Sequence, residues 1–224
     1  GGTFRDRTGY GMIANDVPAR APTITKEEHM AVLMRLEVPG GTIEQYEKVN
    51  EALHIAGDDD APDGLIIHMA ADVPEGFLVI DLWESQEKLD AFAEKLMPVL
   101  NEVGMTGGTP EIMQVHNTIP RGAGTQANVI METRAPIDTD EYDRMVSEIP
   151  SHAGDASSHP VYAHIAAVAE DGTIYVADLW ESPEAFAAFA ESEIVPAAPE
   201  GMELQPTFSP VHNVLHGTAP RSAV

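Results

Sequence analysis

The chain has 224 residues, a hydrophobic fraction of 43% and a formal net charge of −25. A surface this acidic repels phosphate backbones and anionic lipids, so neither nucleic acid nor membrane is expected as a partner. The absence of cysteine excludes disulfides, thiolate nucleophiles and Cys-ligated metals, and no apolar run approaches the roughly 20 residues that span a bilayer.

Residues 1–28 are rich in Gly, Pro and polar side chains without a sustained period, and read as an N-terminal arm, partly disordered or draped over the first folded module. No basic stretch followed by an apolar core marks a secretory signal there, so the default location is cytoplasmic. Residues 30–38 (MAVLMRLEV) predict a strand, broken by Pro39-Gly40-Gly41. Thr42 with Gln45 three residues on forms a capping box, and the spacing of Ile43, Tyr46, Val49 and Leu53 predicts a helix through residue 56. The acidic run Asp58-Asp59-Asp60 with Asp63 lacks the spacing and terminal Glu of a calcium loop and reads as solvated.

Residues 64–71 and 77–84 predict two strands joined by a short turn. Ser85 caps a second helix with Leu89, Phe92, Leu96 and Val99 on its apolar stripe. Residues 111–119 predict a fourth strand. The order then repeats: strand 128–135, a helix capped at Asp138/Thr139 through Ile149, strands 161–168 and 173–181, a Ser182-capped helix through Val195, and strand 208–215.

The repetition extends to words. DLWES stands at residues 81–85 and 178–182, each copy leading to a Phe at the same offset (Phe92, Phe189). VHN stands at 115–117 and 211–213. The chain therefore divides into an arm (1–28), a first module (29–119), a linker (120–125), a second module (126–216) and a tail (217–224). Each module has the β-α-β-β-α-β order of a ferredoxin-like fold, an α+β unit whose four-stranded sheet carries both helices on one face. The bare face must be buried. Two modules in one chain can press these faces together, and the third strand is apolar on both sides: Leu78, Ile80 and Leu82 on one, Val79, Asp81 and Trp83 on the other.

The order of elements, the third strand ending in LWES and the following ESxExFxxF helix resemble the dimeric α/β-barrel superfamily, and within it the antibiotic-biosynthesis monooxygenase (ABM)-like domains. The resemblance covers residues 29–119 and 126–216. It implies that the tandem copies form, within one chain, the pseudo-dimeric α/β barrel that two subunits form elsewhere. It further implies a small-molecule ligand. Activities in the superfamily include cofactor-independent oxygenation, isomerisation and cyclisation of apolar, polyketide-like substrates with an acidic C–H, and haem degradation. The haem-degrading members carry an axial His in the helix after the third strand. The comparable stretches here, EKLDAFAEKLMP and PEAFAAFAESEIVP, have none. No cofactor and no metal are expected, as HExxH, GxGxxG and P-loop patterns are also absent. A further homo-oligomer remains open.

Several residues recur at matching places. Trp83 and Trp180 match the tryptophan that lines the pocket in ABM-like enzymes; each is either a stacking wall for a flat ligand or a core side chain. Asp81 and Asp178 lie two positions earlier on the same face, where an acid is costly unless it is bonded or functional. Each is a general base or a structurally bonded acid. His68 and His164 sit within cross-strand reach of them, to shuttle a proton or simply to fix the sheet. His116 and His212 are either polar groups of a pocket or strand-end side chains bonding the linker or the other module. His29, His54, His152, His159 and His216 lack a matching partner and are expected at the surface. The reading is a small-molecule-binding protein whose candidate catalytic residues are Asp81, His68, Asp178 and His164 and whose candidate substrate contacts are Trp83, Trp180, His116 and His212. The alternative is a non-catalytic ligand-binding or assembly module.

Overall fold

The computed structural model describes residues 30–119, 121–153 and 159–217, without the side chains of 152 and 153. The arm at 1–28 and most of the tail lie outside them. The first module comprises β1 (Val32–Pro39), α1 (Ile43–Leu53), β2 (Leu65–Val73), β3 (Gly76–Trp83), α2 (Gln86–Val103) and β4 (Glu111–Ile119). The second comprises β5 (Val129–Ala135), α3 (Thr139–Glu148), β6 (Ala163–Val168), β7 (Ile174–Trp180), α4 (Pro183–Phe189) and β8 (Thr207–His216).

Local chemistry sets the helix boundaries. The Thr42 hydroxyl accepts the Gln45 amide while the Gln45 side chain returns to the Thr42 N–H, so the expected capping box starts α1. The helix stops at Leu53 rather than residue 56 because His54 turns left-handed, at φ 58°; the acidic run then forms an exposed 3-10 turn, Asp58–Asp60. Asp138, Ser85 and Ser182 cap the other three helices. The last helix is not one continuous α-helix. After Phe189 the chain widens into a π turn, Ala190–Ile194, in which the Val195 amide bonds back to the Ala190 carbonyl. Pro196 lacks the N–H that would continue an i→i−4 ladder there.

The eight strands close into one antiparallel barrel in the order β1-β3-β2-β8-β5-β7-β6-β4. Each module supplies four neighbours, and the seams β2–β8 and β4–β6 join the modules edge to edge. The sheets thus face each other as the repeat implies. The inward parity of β3 (Leu78, Ile80, Leu82) packs with Leu33, Ile67, Met69, Ile130, Ile165 and Leu179 to fill the barrel. The outward parity lies under the helices, where Trp83 packs with Met34, Leu65 and Leu89. No helix among the described residues is long and apolar enough to cross a membrane.

One end of the barrel interior is charged. Arg35 and Glu132 occupy the same place in the two copies, opposite Ile80 and Ala177 respectively, yet carry opposite charge. Arg35 Nε donates to Glu132 Oε1 at 2.6 Å, and the Tyr175 hydroxyl donates to the same oxygen at 2.7 Å. Burial works against the Arg35 charge, but the bond to Glu132 and its charge outweigh it and hold the guanidinium protonated. Breaking such a half-buried pair leaves a charge uncompensated. R35E or E132R alone is expected to lower unfolding stability in urea by about 3 kcal/mol. The double reversal R35E/E132R should recover more than half of that loss; equal losses in single and double variants would show that the pair is not coupled.

Candidate functional site

The strand register brings the recurring acid and histidine together. His68 lies directly across from Asp81 on β2–β3, and His164 from Asp178 on β6–β7. The bonds are His68 Nδ1 to Asp81 Oδ1, 2.7 Å, and His164 Nδ1 to Asp178 Oδ1, 2.8 Å. Each ring is also held on its other nitrogen. Nε2 of His68 lies 2.9 Å from the Tyr46 hydroxyl on α1, and Nε2 of His164 lies 2.8 Å from the Tyr142 hydroxyl on α3.

The tyrosine oxygens are completed from the opposite module. Asn213 on β8 donates to Tyr46 at 2.7 Å, and Asn117 on β4 donates to Tyr142 at 3.1 Å. With the asparagine donating, the phenol is free to donate to imidazole and the imidazole to carboxylate. The result is an Asn–Tyr–His–Asp chain in each module, its first member borrowed across the seam. Tyr46 and Tyr142 escaped the reading of the sequence because they fit the apolar stripe of their helices. The available signal was a Tyr-acid pair in both copies, Tyr46-Glu47 and Tyr142-Asp143.

The VHN histidines sit on the same seam. His212 bonds Glu47 and His116 bonds Asp143, each at 2.7 Å. Their rings stand edge-on to Tyr46 and Tyr142 at 5.5 Å. Neither lines a cavity beside the chains. The other histidines divide: His54 is exposed, His216 is half-buried and bonds the Tyr162 hydroxyl, and His159 is buried at 2% exposure, contrary to the surface position expected for it. It packs edge-on against Phe189 and lines the second cavity, an apolar environment that its position just before a strand did not announce. His29 and the side chain of His152 lie outside the described residues.

Each chain of hydrogen bonds borders a cavity between helices and sheet. The first holds about 80 Å³ and is walled by Tyr46, His68, Asp81 and Trp83 among Met34, Leu36, Leu96, Leu100 and Met105. The second holds about 60 Å³ and is bordered by Tyr142, His164 and Asp178 among Met145, Phe186, Phe189 and Leu204. Both fall well short of the several hundred cubic ångströms usual for a drug-sized ligand. The tryptophans differ. Trp180 turns its Nε1 onto Asp178 Oδ2 at 3.0 Å and stands off the cavity wall. Trp83 forms part of the wall, and its Nε1 has no partner among the described residues. Among those residues no group of three or more His, Asp or Glu could hold a metal ion.

Solved structures share this fold. A provisionally assigned monooxygenase from Fusobacterium nucleatum superposes with a TM-score of 0.61 at 6% identity, over 84% of this chain and 94% of its own. Another such protein, from Lactobacillus acidophilus, gives 0.58 at 10% identity, over 87% and 98%. Each match exceeds four-fifths of the chain and so takes in both modules. The chain folds as a pseudo-dimeric α/β barrel built from one polypeptide. At these identities the likeness concerns the fold alone. No protein-family model matches the chain, and no curated protein matches it.

Burial raises the Tyr46 phenol above its ordinary value of 10.0, with the charges of Asp81 and Glu47 adding to it. Burial raises Tyr142 further, and Tyr175 well above the same value, the latter helped by Glu132. A folded-state value above the unfolded one gives stability that is fully present below about pH 10 and is lost as pH climbs through the raised values. An alkaline titration followed at 295 nm should therefore show these three phenols ionising late, together with unfolding. Y46F, Y142F and Y175F should each remove one late-titrating group; loss of an early one would contradict the burial.

Proposed function

We propose that this barrel binds a small apolar carbon acid in its helix–sheet layer and removes a proton from it, with Asp81 as base and His68, held by Tyr46, as its orienting partner. The observation that carries this reading is the buried Asp–His–Tyr chain on the wall of an apolar cavity. A carboxylate held in position on the wall of a cavity can take a proton from a bound carbon acid as a general base. Asp178, His164 and Tyr142 repeat the arrangement in the second module. If the carbanion meets dioxygen, a CH₂ group becomes a carbonyl with release of water, the cofactor-independent oxygenation that an ABM-like protein would perform. Without dioxygen, reprotonation at another carbon is an isomerisation, and attack on an internal carbonyl a cyclisation. A cavity of about 80 Å³ favours a substrate far smaller than a polycyclic polyketide; a larger one requires α1 and α2 to move off the sheet.

A second reading is favoured by the same small volumes: the chains of hydrogen bonds serve only to lock helix, sheet and seam, as buried polar networks can. Proton exchange separates the two. Acetone, cyclohexanone and 2-indanone would be incubated with the protein in deuterium oxide and exchange at the α-carbon followed by NMR, with oxygen uptake recorded in parallel. The base reading expects exchange above buffer, reduced at least about 100-fold in D81N/D178N, the scale of a general base. Exchange no faster than buffer, or unchanged in the double variant, leaves the structural reading.

A further inference from the structure

The two cavities are not equivalent, and the difference is a matter of two atoms. In the second module the indole N–H of Trp180 and the second carboxylate oxygen of Asp178 satisfy each other at 3.0 Å. In the first module the same donor, Trp83 Nε1, is fully buried without a partner among the described residues, so Asp81 keeps its Oδ2 clear of the indole. A buried N–H left unbonded forfeits the bond it had with water, and native proteins rarely leave one so. Donor and acceptor belong to residues two apart on one face of β3, and both residues border the first cavity.

The neighbourhood of each tryptophan accounts for the split. Both indoles meet the shared phenylalanine at 5.3 Å, Phe92 in one module and Phe189 in the other. Trp180 is also flanked by Phe186, at 5.7 Å edge-on, and by His159 at 6.5 Å. Leu89 stands where Phe186 does, leaving Trp83 on the cavity wall. Aromatic packing on two further sides thus holds Trp180 against Asp178 and takes its N–H out of the second cavity.

We infer that the chain binds one ligand, in the first module only, and that this ligand carries a hydroxyl (an alcohol, a phenol or the enol of a ketone) that accepts from Trp83 Nε1 and donates to Asp81. A hydroxyl is a single group with a donor and an acceptor to offer. A carbonyl would answer the indole alone and a cation the carboxylate alone. The second module's pair, satisfied internally, is a structural element. This inference rests on reading the first cavity as a ligand site, and it adds which module works and what group is recognised there.

The protein has only two tryptophans, so its indole N–H signals in a ¹H–¹⁵N NMR spectrum are two, assigned with W83F and W180F. Phenol is the probe, and toluene, the same shape with methyl in place of hydroxyl, is its control. The cavity is small for a ring, but Met34 and Met105 in its wall are unbranched and can yield. Phenol should shift the Trp83 signal saturably and leave the Trp180 signal in place, toluene should shift Trp83 several-fold less, and D81N should weaken phenol binding about tenfold. Equal shifts of both indoles, equal effects of phenol and toluene, or no shift of Trp83 at millimolar phenol overturns the inference. The outcome is separable from proton exchange. Exchange that depends on Asp81 with an unmoved Trp83 signal leaves the base and removes the hydroxyl contact; a phenol-specific Trp83 shift with D81N exchange unchanged does the reverse.

Discussion

Neither half of this chain can satisfy itself. A four-stranded sheet with helices on one face leaves an apolar face bare and two edges of backbone N–H and C=O groups unpaired. Here the four exposed edges become two seams, β2–β8 and β4–β6, and the bare faces become the filled interior of the barrel. The seams do more than zip backbone. β8 carries Asn213 and His212 onto α1 of the first module, and β4 carries Asn117 and His116 onto α3 of the second. Tyr46 and Tyr142 therefore each depend on the opposite module for a hydrogen bond, and through them so do His68 with Asp81 and His164 with Asp178. Closing the barrel and completing the two chains of polar groups are one event.

Placing both modules on one chain releases them from symmetry. In a homodimer of identical modules, equivalent residues near the two-fold axis must tolerate their own copy. Arg35 and Glu132 hold equivalent places and meet as an ion pair, which two identical modules could not offer. The same freedom extends to the cavities. The Asp–His–Tyr geometry is kept in both, to within about 0.1 Å in each bond, while the tryptophan two residues from the aspartate is used in opposite ways.

Much of the fold was legible because it is written in period and in repetition. Alternation in β3 set Leu78, Ile80 and Leu82 on one face and Asp81 and Trp83 on the other, which are the barrel interior and the helix side, and the short turn after β2 brought His68 opposite Asp81. The parts that were not legible involve distant elements. Tyr46 and Tyr142 look like members of an apolar helical stripe, and only the helix–sheet distance reveals that the hydroxyl reaches a histidine. Asn117 and Asn213 stood out as repeats, but the seam that carries each to the other module's tyrosine follows from barrel closure, which no local pattern encodes. His159 was expected at the surface because it has no counterpart in the other module; it is buried because the aromatic side of α4 covers it. The identical DLWES words hid the difference between the tryptophans, since Leu89 and Phe186, which separate them, lie four residues outside the motif.

The asymmetry has a direct chemical consequence. In the second module the indole N–H closes on the carboxylate two residues before it. Asp178 carries this bond on Oδ2 as well as the histidine on Oδ1; Asp81 has the histidine without the indole. Two aspartates with the same neighbours on strand and helix are thus set apart by the orientation of one ring, and that ring is set by whether a leucine or a phenylalanine stands beside it. In the second module the polar groups close on themselves. In the first, the Trp83 N–H is left without a partner among the described residues, on an apolar cavity that Asp81 also borders, and a ligand group that accepted from it would relieve the cost of keeping it buried.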